Sequence, residues 1–195
     1  WQLDSSQTEI TMNDDNFVTL FPPGHFYSPL PLAKDAMDHL AQTMPPPKSL
    51  PGIKLNIAGQ MALLTTLASN LETVPAYDKE KLPGLRFHFK QNYLCPKDAF
   101  VYFLMILHLT PKRIVEVGCG HSSHIALDSN QLHFDNQIEC TFIEPNPDRF
   151  LGGLLPGDED RVRFLRHKVQ DLNMDAFLQL EKNDILFIDS SHVSK

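Results

Sequence analysis

The chemistry open to this chain is concentrated just beyond three apolar segments. The first runs Arg113-Ile114-Val115-Glu116-Val117-Gly118-Cys119-Gly120-His121-Ser122-Ser123. Gly118 and Gly120 have no Cβ, so the backbone there can turn sharply and come close to a ligand. Ser122 or Ser123 can cap a helix that starts at His124-Ile125-Ala126-Leu127. The unpaired N–H groups of such a start attract anionic or oxygen-rich groups. The second is Glu144-Pro145-Asn146-Pro147. Its carboxylate stands about 20 residues past the glycine turn, where dinucleotide folds place the acid that binds ribose hydroxyls. The third is Asp189-Ser190-Ser191-His192, a carboxylate and an imidazole that can face a ligand crevice. Together these residues suit a nucleotide-type ligand.

Four strands must bring the three ends together. Val115 and Val117 are β-branched and suit a strand over Arg113–Val117. Gln137–Ile143, Arg161–Leu165 and Asp184–Asp189 read as three more. Helical stretches separate them: one entered through the serines, one over Pro147–Leu155, and one over Leu172–Glu181 with Phe177 and Leu180 inward. This alternation predicts an α/β fold with a doubly wound, mostly parallel, Rossmann-like sheet. Before it, Pro96-Lys97-Asp98 starts a helix reaching Thr110, with Phe100, Phe103, Leu104 and Leu107 as its buried face. Ile57, Met61, Leu64, Ala68 and Leu71 recur at helical spacing within residues 52–72, predicting an amphipathic helix whose apolar stripe packs inward. His121 and His124 flank the turn and read as solvated.

The order acid-x-Gly-x-Gly, Glu116 to Gly120, resembles motif I of the class I S-adenosylmethionine-dependent methyltransferases. Val115 to Ser123 and Phe187 to Val193 are similar to small bacterial members of that superfamily, and the resemblance covers residues 92–195. The usual third glycine of the motif is replaced by Ser122. The resemblance implies S-adenosylmethionine as cofactor, held by Gly118, Cys119, Gly120, Ser122 and Ser123. Glu116 would orient its aminoacyl end, directly or through water, and Glu144 would accept from both ribose hydroxyls. Gln170 and Asp171 would meet the adenine edge and Asn146 or Pro145 its ring, with Asn92, Tyr93 and Asp98 as neighbours. It further implies methyl transfer to a small-molecule acceptor, with His192 as general base. Asp189 would touch the substrate, cap the next turn, or bind Mg2+ as in some catechol-type members. An NAD(P)-dependent oxidoreductase shares the strand, turn and distal acid, but its third glycine is absent here, the position being Ser123. A non-catalytic binding module of the same fold is the other alternative. The family's sheets continue past a fourth strand, so the resemblance implies that this chain lacks the C-terminal strands. An uncovered apolar edge invites pairing, so further sequence or a partner copy is expected to cover it as a homo-oligomer.

Composition narrows the class. At 195 residues and 42% hydrophobic, the chain can build one packed α/β domain with an N-terminal extension. A net charge of −7 leaves no footprint for nucleic acid. Arg161, Arg163, Arg166, His167 and Lys168 read as a solvated strand edge. Cys95, Cys119 and Cys140 lack C-x-x-C spacing, which suits reduced thiols in a cytoplasmic enzyme better than zinc ligation. No apolar run approaches the roughly 20 residues of a membrane span. The expected organisation is an arm and proline-rich loop over 1–51, a helical part over 52–110, and the cofactor-binding core over 111–195. The aromatics of Phe21–Pro31 would either cover a cofactor as a lid or pack on the surface.

Overall fold

Arg113–Val117 (β1), Glu139–Ile143 (β2), Val162–Leu165 (β3) and Ile185–Ile188 (β4) pair in one all-parallel sheet, ordered β3-β2-β1-β4. This comes from a computed structural model that describes Lys34, Met37, Asp38 and residues 51–190. The N-terminal arm, the proline-rich loop at 21–31 and His192 lie outside the described residues. The chain divides into two units, Trp1–Leu55 and Asn56–Lys195, and the sheet belongs to the second.

Successive strand residues point to opposite faces; one face is covered along all four strands, and the other is covered at β1 and β2 but leaves Leu186 and Ile188 of β4 exposed. Ile114, Cys140 and Phe142 bury against Tyr102, Phe103 and Ile106 of the helix Pro96–Leu109. Ile125 and Ala126 of the helix His121–His133 join the same layer. Val115, Val117 and Ile143 face the other way, onto Val169, Leu172, Phe177 and Leu180. A parallel sheet packed against helices favours mainly apolar strands; these are so, with Glu116 and Thr141 as buried polar residues within them. The architecture is α/β and Rossmann-like. In chain order the helices are α1 (Ile57–Ala68), α2 (Pro96–Leu109), α3 (His121–His133), α4 (Asp148–Leu151) and α5 (Asp175–Leu178).

Several helices differ from the expectation; that expected over Pro147–Leu155 is only the four residues of α4. In α1 the stripe is not the packed face: Ile57, Met61 and Leu64 are each more than half exposed. Leu67 is the buried residue, with Leu63 and Gly59 half-buried one and two turns before it. Period alone reveals a stripe, and tertiary contacts choose the face. The helix expected over Leu172–Glu181 shrinks to α5, after a 3-10 turn at Val169–Asp171. The Asp175 N–H donates to Asn173 Oδ1 at 3.3 Å, a local turn that competes with an earlier helix start.

Segment 77–90, mixed in sequence, holds the strongest buried polar node. The Arg86 guanidinium is 1% exposed, and its Nη1 donates to Asp128 Oδ1 of α3 at 2.9 Å. Its Nε donates to Asp158 Oδ2 at 2.7 Å. The Arg86 and Phe87 amides and the Tyr77 hydroxyl also donate to Asp128. Removing one partner of such a node leaves the other charge buried. Asp128→Ala is therefore expected to cost about 3–5 kcal/mol, read as a lower urea midpoint at unchanged m-value. Burial opposes the Asp158 charge, but the Arg86 and Leu155 N–H donors outweigh it and hold this carboxyl below the usual carboxylate range. The stability from Asp158 should accordingly be complete above about pH 4 and be lost as pH falls through its lowered value. Asp158→Asn should reduce that acid-side loss in thermal melts.

Candidate functional site

The chain runs outward from β1 to β2 and β3, then returns to the other side of β1 for β4. A parallel sheet binds ligands at such a reversal, beyond the carboxyl ends of its strands. Gly118 occupies that point with φ 88°. A Cβ there would lie 2.1 Å from the Asp189 carbonyl oxygen, so this position excludes every side chain. The Asp189 N–H donates to Val117 O, and the Gly118 N–H to Ile143 O, each at 2.9 Å. The turn is thus pinned between β2 and β4.

α3 begins earlier than expected, with Gly120 as its N-cap and His121 as its first residue. Ser122 and Ser123 therefore lie inside the first turn and do not precede it. Ser123 Oγ accepts the Gly120 N–H at 3.0 Å. Both serine hydroxyls donate to Glu116 Oε1, Ser123 at 3.0 Å. Glu116 is fully buried on the α2–α3 face of β1, and its Oε2 has no hydrogen-bond partner among the described residues. Burial pushes its carboxyl up to about 8, against the two serine bonds, with Asp189 adding to the rise. Nearby, the buried Tyr102 hydroxyl also lacks a partner, and burial and then Glu116 raise it. Glu116 thus locks strand to helix from behind Ser122.

Two adjoining cavities open in front of this lock. The first, about 290 Å³, is lined by Gly118, Cys119, Gly120, Ser122, Glu144 and Asp189, with Tyr93, His121 and Arg149. The second, about 230 Å³, is lined by Glu144, Pro145, Asn146 and Gln170, with His167 and Lys168. Gly118, Glu144 and Ser190 line both, so Glu144 stands at the middle of an elongated groove. Its Oε1 accepts the Asn146 N–H at 2.8 Å, and the other oxygen has no partner among the described residues. Of the predicted ligand residues, Glu116, Ser123 and Asp171 do not line the groove. Asp171 is exposed in the 3-10 turn.

A third, mostly apolar cavity of about 480 Å³ lies between α2 and β4, lined by Tyr102, Met105, Ile185 and Phe187. Asp98 also lines it, and it shares Leu94 and Asp189 with the first cavity. Among the described residues no three His, Cys, Asp or Glu side chains are grouped to hold a metal.

Several site residues were invisible in the sequence. Arg149 places its guanidinium 3.6 Å from the centre of the Tyr93 ring, and Tyr93 stacks on His121. His121 is half-buried and was expected to be solvated; burial, then His88 and Arg149, lower it to about 4. His124 is buried, because the early helix start turns it inward. Its Nε2 donates to Phe150 O at 2.9 Å, and burial lowers it to about 4 despite that bond. A Cβ on Gly153 would meet the His124 ring at 2.1 Å, which explains the glycine there. His167 and Lys168, expected on a solvated edge, are exposed yet line the groove. Cys119 and Cys140 are buried thiols, raised mainly by burial, Cys140 to about 12.

The geometry defines an α/β protein with a ligand groove at its sheet reversal. A protein of Archaeoglobus fulgidus described as uncharacterized is 35% identical over 172 residues, covering 85% of this chain and 76% of that protein. The chain belongs to the family of that archaeal protein. No protein-family model matches the chain, and no solved structure matches it. No helix among the described residues is long and apolar enough to cross a membrane.

The Glu116 lock carries a pH signature. Its folded value near 8 lies above the unfolded value of about 4.3. Its stabilising contribution is complete below that value and is lost as pH rises through about 8. Wild-type protein should lose stability relative to Glu116→Gln over that window, by at most about 1.4 kcal/mol per pH unit. Paired thermal melts measure the difference, which cancels the opposite, acid-side contribution of His121 and His124.

Proposed function

We propose that this protein binds S-adenosylmethionine in the elongated groove and transfers its methyl group to a small-molecule acceptor. The observation that carries the reading is that Glu144 and Gly118 line both cavities, with Gly120 in the first alone and Gln170 in the second alone. A nucleoside laid along it would put its ribose hydroxyls at the carboxylate, its base beside Pro145 and Gln170, and its remaining arm against Gly118 and Gly120. In a dinucleotide site the amides of this turn face a pyrophosphate. Here the Gly120 N–H is already taken by Ser123 Oγ, which favours the methyl-donor reading over NAD(P).

Methyl transfer needs little from the protein beyond holding the two reactants aligned, a contribution of roughly 7–11 kcal/mol in favourable cases. The apolar cavity beside β4 offers the acceptor a place, because Asp189 and Leu94 line both it and the cofactor groove. Asp189 would orient the acceptor at that junction. His192, three residues further along the chain, is the base proposed to take the proton of an oxygen acceptor.

At about 100 times its dissociation constant, S-adenosylhomocysteine should raise stability by roughly 2.7 kcal/mol. That corresponds to a melting shift of roughly 5–10 °C. NAD+ and NADP+ should give none; a shift with either of them alone would replace this reading by the oxidoreductase. Glu144→Ala is expected to weaken S-adenosylhomocysteine binding at least about tenfold, because charge-assisted bonds to two hydroxyls are lost. His192→Ala should lower turnover while leaving cofactor affinity within about twofold.

A further inference from the structure

Arg149 is an exposed residue of α4, yet its side chain is held in one place. Its guanidinium lies on the Tyr93 ring at 3.6 Å. A Cβ on Gly120 would come within 3.4 Å of Arg149 Cδ, so the side chain runs across the glycine turn into the space the glycine leaves. Tyr93 is 70% exposed, but its backbone N–H donates to Gln91 Oε1 at 2.7 Å and its ring stacks on His121 at 5.9 Å. None of the ion pairs among the described residues includes Arg149. The result is a pre-ordered guanidinium with no carboxylate partner, lining the first cavity together with Glu144.

A planar guanidinium presents paired N–H donors that match the two oxygens of a carboxylate. The order of groups along the groove says which ligand end meets it. With ribose at Glu144 and the base in the second cavity, the arm in the first cavity is the amino-acid end. We propose that Arg149 recognises the carboxylate of that end and that Tyr93 is the positioning residue holding the guanidinium ready. Arg149 then selects ligands that keep the whole amino-acid group. This inference rests on reading the groove as an S-adenosylmethionine site.

The test is calorimetric titration of the full chain with S-adenosylhomocysteine and with its decarboxylated analogue. Wild-type protein should prefer the carboxylated ligand by at least about tenfold. Arg149→Gln should lose that preference by weakening S-adenosylhomocysteine while leaving the analogue within about twofold, at an unchanged melting temperature. Tyr93→Ala should reduce the preference, and Tyr93→Phe, which keeps the ring, should restore it. An Arg149→Gln variant that retains the wild-type preference overturns the role of Arg149 and leaves the cofactor reading standing. Wild-type protein that binds neither ligand overturns both.

Discussion

α3 is held by two buried carboxyl groups, one facing a cation and one without, and the groove depends on that hold. At its middle, Asp128 takes the Arg86 guanidinium and two backbone amides, a charged pair sealed from water. At its start, Glu116 accepts two serine hydroxyls but no cation, so its own burial drives it toward the neutral acid. The charged pair ties α3 to segment 77–90 and, through Asp158, to the loop after α4. Glu116 ties α3 to β1. Burying a charge without a partner is far costlier than burying a hydrogen-bonded neutral group, so the two solutions are the ones available at these two positions.

With α3 fixed, the glycine turn has little freedom, and the residues in front of it take defined roles. Glu144 is oriented by the Asn146 amide, and Arg149 rests on Tyr93. The groove thus carries an acid at its centre and a base near one end. Both are polar features on the wall of a cavity whose neighbour, beside β4, is lined mainly by apolar side chains. A polar cavity thus adjoins an apolar one, with Leu94 and Asp189 on the wall of both.

Much of the sheet was legible in the sequence because the strands of a parallel sheet are short, mainly apolar runs. β1 matches the predicted segment, and the other three lie inside theirs, shortened by one or two residues, as at Asp184 and Asp189. The glycine turn was legible for a similar reason, since few residue types tolerate φ 88° against a neighbouring carbonyl. The Arg86 node was not, because its partners stand 42 and 72 residues away and ordinary acids and bases carry no mark of whom they meet. Arg149 escaped for the same reason. The α1 stripe misled because a helical period fixes which residues share a face, not whether that face is covered. His124 was misjudged through the helix start: moving it from His124 to His121 turns a solvent-facing ring into a buried one.

The contact between Gly118 and the Asp189 carbonyl has a consequence for how such a protein can change over time. The end of β4 and the turn after β1 occupy nearly the same space, so neither strand can slide without colliding with the other. The scaffold therefore offers no route to a new specificity by adjusting backbone spacing at this point. Altered preference for one ligand or the other has to come from exchanging side chains on the walls, at positions such as Leu94, Val101 or Met105, while the frame beneath them stays as it is.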